Sequence, residues 1–173
     1  VEQLGGESVK PYQPDGIWPE VAMLQSNTRN FALGTGPDLW RRSLYTYWKR
    51  ACPPPSLQTL DAPTREACTI RRAVTNTPLQ ALVTWNDEQF VEAARELARH
   101  VLLAPDSRGD DSARLSLLFL RCTGREPDDA ELSLLRGGLT DFRARFADSP
   151  QDAALLVTVG ASPAPLDVPW SEL

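Results

Sequence analysis

Apolar residues at three- and four-residue spacing, restarted repeatedly by helix-initiating chemistry, fill the second half of this sequence and commit it to a helical body. Thr77-Pro78-Leu79-Gln80 places a hydroxyl cap, a proline at the first helical position and a return donor at the third. Behind it Leu79, Leu82, Val83, Phe90, Val91, Ala94, Leu97, Ala98 and Val101 keep helical spacing. Asn86-Asp87 interrupts the run, as a kink or as a fresh cap with Gln89 behind it. A second helix is predicted from about Asp111 to Cys122, stopped by Gly124. A third starts at Asp128, with Glu131 three residues on, and carries Leu132, Leu135, Leu139, Phe142 and Phe146. Gly137-Gly138 in its middle costs about 1–2 kcal/mol against alanines, which predicts close packing or a bend. A fourth opens at Ser149-Pro150-Gln151-Asp152 and closes at Gly160.

Residues 1–40 contrast with this body. Gly5, Gly6, Pro11, Pro14, Gly16, Pro19, Gly34, Gly36 and Pro37 deny them a helical stripe, beyond one short turn near Trp18 to Leu24. They read as an extended segment wrapped over the core and pinned by Tyr12, Trp18 and Phe31. Ser43 to Lys49 is rich in β-formers and alternates Leu44, Thr46 and Trp48 against Tyr45 and Tyr47, which predicts a strand. Cys52-Pro53-Pro54-Pro55 ends that strand. The expected fold class is therefore mainly α: about four packed helices, a short aromatic-rich β-strand, and long ordered N-terminal and proline-rich loops. Its 173 residues suit one domain. The parts are a wrap over 1–40, strand plus Arg-rich loop over 41–76, helical body over 77–160 and coil tail over 161–173.

Net charge is −5 but unevenly placed: residues 41–72 carry seven cations against two carboxylates, while the segments on either side are acidic. An acidic whole argues against nucleic acid as a partner, since that requires a broad basic face. No apolar run approaches the roughly 18 residues of a membrane span. Cys52, Cys68 and Cys122 have no metal spacing. They read as buried thiols, with a Cys52–Cys68 disulfide as the alternative in an exported domain.

The segments LGGESVKPYQPDGIW, RRSLYTYWKR, PPPSLQTLDAPTREACTIRR, TNTPLQALV, NDEQFVEAARELA and CTGREPDDAEL, in that order, carry a resemblance. The chain resembles the planctomycete-specific domain of unknown function found carboxy-terminal to planctomycete c-type cytochrome modules. It is similar to a partial copy, lacking that family's start and its terminal helix. The resemblance implies a larger, exported, cytochrome-linked parent in the periplasm or cell envelope, with the neighbouring domains as partners. It supplies no catalytic residues. The Cys-x-x-Cys-His haem-attachment sequence is absent, and no cofactor is expected in this chain.

The candidate binding residues are Arg42, Tyr45, Tyr47, Trp48, Arg65, Arg71 and Arg72, with Arg41, Lys49 and Arg50 beside them. Read functionally, guanidinium groups flanked by aromatic faces suit a carboxylate, sulfate or phosphate, including that of an acidic glycan. Read structurally, the same groups form Arg–Asp pairs and satisfy carbonyls of the irregular DAPTREACTIRR loop, and this reading weighs more. Asp61 and Glu66 could form the carboxylate pair of a glycan hydrolase, but the arginines around them would keep both ionised. His100 has no second histidine with which to hold a metal. The aromatic set Trp85, Phe90, Phe119, Phe142 and Phe146 reads as core. The functional expectation is a non-catalytic accessory or interaction domain, with a glycan-acting hydrolase or anionic-glycan binder as the alternative.

Overall fold

The computed structural model describes residues 3–105 and 110–168, so the end of the expected coil tail lies outside the described residues. The chain is mainly helical: α1 (Ile17–Val21), α2 (Pro55–Thr59), α3 (Pro78–Asn86), α4 (Glu88–Leu103), α5 (Asp111–Thr123), α6 (Asp129–Asp148) and α7 (Pro150–Val157). Tight 3-10 turns occupy Gly36–Trp40 and Ser43–Tyr45. Two compact units result, Val1–Phe90 and Val91–Leu173, with the boundary just inside α4.

The helix starts follow their local chemistry. Thr77 Oγ1 accepts from Gln80 N at 3.3 Å while Gln80 Oε1 accepts from Thr77 N at 3.1 Å, closing the capping box of α3. Asp87 settles the interruption as a fresh cap, accepting from Gln89 N at 3.0 Å. Asp128 and Glu131 form a second capping box at the head of α6. Gly124 ends α5 at φ 79°, the left-handed conformation that glycine adopts without penalty.

In the first unit, Val9, Tyr12, Trp18 and Leu39 are buried, so the N-terminal wrap itself supplies core. Trp18 meets Phe31 edge-on at 5.0 Å and Tyr47 at 5.6 Å. Lys49 Nζ sits 4.6 Å above the Trp18 ring and donates to Thr28 O at 2.8 Å. The predicted strand over Ser43–Lys49 does not form. In its place stand the 3-10 turn and two isolated bridges, Val9 with Thr46 and Lys49 with Cys52. Val9 reaches it through Val9 N to Tyr45 O at 2.8 Å and Tyr47 N to Val9 O at 2.7 Å. With no ladder to join, the aromatic β-formers serve packing, which is what β-propensity largely measures. The proline run, expected only to end a strand, starts α2, because Pro55 fits a first helical position.

In the second unit, α6 packs on both α5 and α7. Val101, Leu115, Val157 and Val168 are buried, together with two charged residues of α4, Glu92 and Arg95. Arg95 Nη1 donates to Val157 O at 2.6 Å and Val159 O at 2.9 Å, and its Nη2 reaches Ser162 O at 3.3 Å and Ser162 Oγ. Glu92 Oε1 lies 3.8 Å from Arg95 and accepts from Ser162 N at 2.7 Å and Ser162 Oγ at 2.5 Å. Further along the helix Arg99 pairs with Asp167. Charges at three- and four-residue spacing, Glu92, Arg95 and Arg99, thus fasten the segment after α7 to α4. Gly160 permits the approach: at φ 92°, an added Cβ would stand 2.6 Å from Glu92 Cδ.

Several sequence expectations need correction. Trp85 and Phe142 are 80% and 55% exposed and do not belong to the core. Of the close packing or bend expected at Gly137-Gly138, the close packing is absent, since nothing among the described residues lies within 4 Å of a Cβ added to either residue. Cys68 and Cys122 are exposed, Cys52 is half-buried, and all three are free thiols. Neither buried thiols nor a Cys52–Cys68 disulfide describes them.

Candidate functional site

The basic island divides by what each cation touches. Arg41 is 7% exposed and serves the wrap. Its Nη1 donates to Glu7 O at 3.3 Å and its Nη2 to Gln3 O at 2.9 Å and Gly5 O at 2.5 Å. Its guanidinium lies 3.8 Å over the Tyr45 ring, and Tyr45 Oη accepts from Gly5 N at 2.9 Å. Tyr45 and Tyr47 are therefore committed to holding the N-terminal segment. Arg50 grips Glu66 with two donors, Nε to Oε1 at 2.8 Å and Nη2 to Oε2 at 2.6 Å.

Arg72 fastens the turn after α2, donating from Nε to Asp61 O at 3.2 Å and from Nη2 to Leu60 O at 2.9 Å. Arg65 lies 4.7 Å over the Trp48 ring and extends Nη2 to Ser43 O at 3.5 Å. Arg42 and Arg71 are exposed, and among the described residues no hydrogen bond or ion pair involves either side chain. At the loop, Arg72 satisfies carbonyls as the structural reading expects and Arg50 pairs with Glu66 rather than with an Asp; Arg41 bonds carbonyls of the N-terminal wrap instead.

Trp48, Arg65 and Arg72 meet at an open cavity of about 420 Å³. Leu44, Leu57, Leu60, Ala62 and Pro63 make most of its remaining wall, with Ser43 at the edge. Tyr45, Tyr47, Arg42 and Arg71 are not among the lining residues. The backbone at Arg65 has φ 62°, in the left-handed region that costs a residue with a Cβ roughly 1–2 kcal/mol.

The two carboxylates of the island are held away from general-acid chemistry. Asp61 Oδ2 accepts from Thr75 Oγ1 at 2.7 Å, Thr75 N at 2.8 Å and Gln80 Nε2 at 3.2 Å. The Thr75 donors, with Arg72 nearby, keep the Asp61 carboxyl below its ordinary range. The Arg50 hydrogen bonds do the same for Glu66. A hydrolase acid needs the opposite shift. His100 is exposed, and no group of three or more metal-ligating side chains exists among the described residues. Among the described residues, no helix is long and apolar enough to cross a membrane.

The buried pair Glu92–Arg95 escaped the sequence reading. Glu92, Arg95, Glu96 and Arg99 repeat like the salt-bridge face of a solvated helix, and the distant segment from Val157 to Ser162 makes the first two interior.

Over residues 1–139 the chain matches the family model PSD1, protein of unknown function (DUF1553), and it belongs to that family. No curated protein and no solved structure matches it.

Proposed function

We propose that this chain is a non-catalytic accessory domain of a larger exported, cytochrome-linked protein, and that its arginine-rich surface takes an anionic partner. The parentage rests on the motif order that resembles the cytochrome-associated planctomycete domain, and it carries the periplasmic or cell-envelope location with it. The partner is the neighbouring domain or an acidic glycan. One observation carries the reading: among the described residues, Arg42, Arg65, Arg71 and Arg72 have no carboxylate partner within 4 Å, in a chain whose acids outnumber its bases. Folding has not consumed this charge, which leaves it for a ligand.

Two measurements test it. Cross-linking of the intact parent protein should join the 42–72 segment to an acidic face of the adjoining domain. Titration with sulfated or uronate-bearing oligosaccharides should shift the tryptophan emission, with affinity falling as salt rises. A fourfold change to glutamine at Arg42, Arg65, Arg71 and Arg72 should abolish whichever signal is seen. Flat results in both assays end the proposal.

A further inference from the structure

We infer that the cavity at Trp48, Arg65 and Arg72 binds a single carboxylate carried on an apolar body, an aryl or acyl monocarboxylate, in preference to a sugar. The inference deepens the anionic-partner reading and rests on it.

The walls argue first. A volume of about 420 Å³ falls within the range of small-molecule sites. Trp48, Leu44, Leu57, Leu60 and Pro63 give it an apolar interior. Sugars are held by planar acceptors and donors of Asn, Asp, Gln and Glu, which can serve both senses of a hydroxyl. None of those side chains lines this cavity. Its charged side chains are two arginines, which donate and never accept. The complement of such a lining is an acceptor, and a charged one.

The arginines argue second. Arg72 spends Nε and Nη2 on the Asp61 and Leu60 carbonyls, so its plane is fixed while Nη1 keeps its donors. Arg65 is laid flat by Trp48 and by Ser43 O, and the long 3.5 Å contact leaves it available for a stronger acceptor. Arg50, Arg95, Arg99, Arg114, Arg125 and Arg143 all meet carboxylates in this protein; these two do not.

The backbone argues third. Arg65 sits at φ 62° with no glycine to relieve it. Strain of that kind persists where surrounding contacts enforce it, and it gathers at ligand clamps. Here it coincides with the residue that closes the cavity over Trp48.

The test uses this chain with phenylacetate, hexanoate and N-acetylphenylalanine, against the corresponding amides and against uronate oligosaccharides. Isothermal titration and amide chemical-shift mapping report on each. The acids should bind about tenfold more tightly than the amides, the margin of a charge-assisted hydrogen bond. Arg65→Gln should erase that margin with the helical circular dichroism unchanged, because Arg65 is exposed and outside every helix. Arg72→Gln is the second variant, with the Leu60 and Asp61 amide shifts reporting whether the turn survives. Equal affinity for acid and amide, or an undiminished margin in Arg65→Gln, overturns the inference. Oligosaccharide binding without binding of the apolar acids also overturns it, while leaving the anionic-partner reading intact. If no small ligand binds but the parent protein cross-links through these arginines, the cavity proposal fails and that reading stands.

Discussion

Replacing Arg95 with leucine isolates the energetic role of the buried charge on α4. Glu92 is 1% and Arg95 5% exposed, so solvent screens the pair very little. The substitution strips donors from Val157 O, Val159 O and Ser162 O, and takes the guanidinium cation away from the buried Glu92 carboxylate, which Ser162 N and Ser162 Oγ continue to face as neutral donors. Removing one partner of a buried pair costs about 3–5 kcal/mol, a large share of the roughly 5–15 kcal/mol that holds a domain folded. The double change Glu92→Leu/Arg95→Leu orphans the same carbonyls but removes the stranded carboxylate. It should therefore recover about 1–2 kcal/mol relative to the single variant, since apolar replacement of a buried pair is often neutral or better. Urea unfolding followed by helical circular dichroism measures both. A single variant within about 1 kcal/mol of wild type, or a double variant no more stable than the single, refutes the assignment of an uncompensated buried charge.

Three further outcomes follow from the same geometry. Gly160→Ala should destabilise by about 2–4 kcal/mol, combining left-handed strain with overlap on a buried side chain, and a neutral urea midpoint would contradict the close approach to Glu92. Gly137→Ala and Gly138→Ala should each stabilise by about 0.5–1 kcal/mol, because both sites have open space and helical backbone; a loss in either melting temperature would reveal packing that the structure does not contain. Glu131, gripped by Arg125 through two hydrogen bonds, is lowered from 4.5 to about 2. A depressed acid contributes stability that is present above its unfolded value and lost as pH falls toward its folded one. Stability of the wild type should therefore drop between about pH 5 and pH 2 more steeply than that of Glu131→Gln, and parallel curves would sink the assignment.

What the sequence disclosed and what it concealed separate by the range of the interaction. Thr77, Asp87, Gly124 and Asp128 fix helix ends through partners within four residues, so their roles could be read directly. The body from α3 to α7 was legible for that reason. Arg41, Glu92 and Arg95 act across 34 to 70 residues, and no local pattern announces them. Glu92 and Arg95 look solvated until the turn at Gly160 is laid over them. The strand over Ser43–Lys49 failed for a related reason: β-forming residues state a preference for packing, and the segment that packs here is the one around Val9. Trp85 and Phe142 kept helical spacing yet lie exposed, because periodicity marks an apolar face without naming what covers it.

The candidate site was half legible, and the half that was not is the more instructive. Sequence proximity grouped seven aromatic and basic residues, but structure retains only Trp48, Arg65 and Arg72 at the cavity. Tyr45 and Tyr47 are consumed by Arg41, Trp18 and the N-terminal wrap. The distinction between the two groups is one of satisfaction. The fold arranges acceptors for most donors of the two buried guanidinium groups: three carbonyls for Arg41, three carbonyls and the Glu92 carboxylate for Arg95. Arg72 stands between, with two donors engaged and one nitrogen left over. Arg65 retains nearly all its hydrogen-bonding capacity while its backbone bears strain, and the fold offsets it with a cation–π contact to Trp48. In a chain with more acids than bases, a carboxylate for Arg65 was available by a single substitution, and the loop carries none within reach. Unspent donors held in a strained, fixed geometry beside an apolar cavity are what a binding site requires.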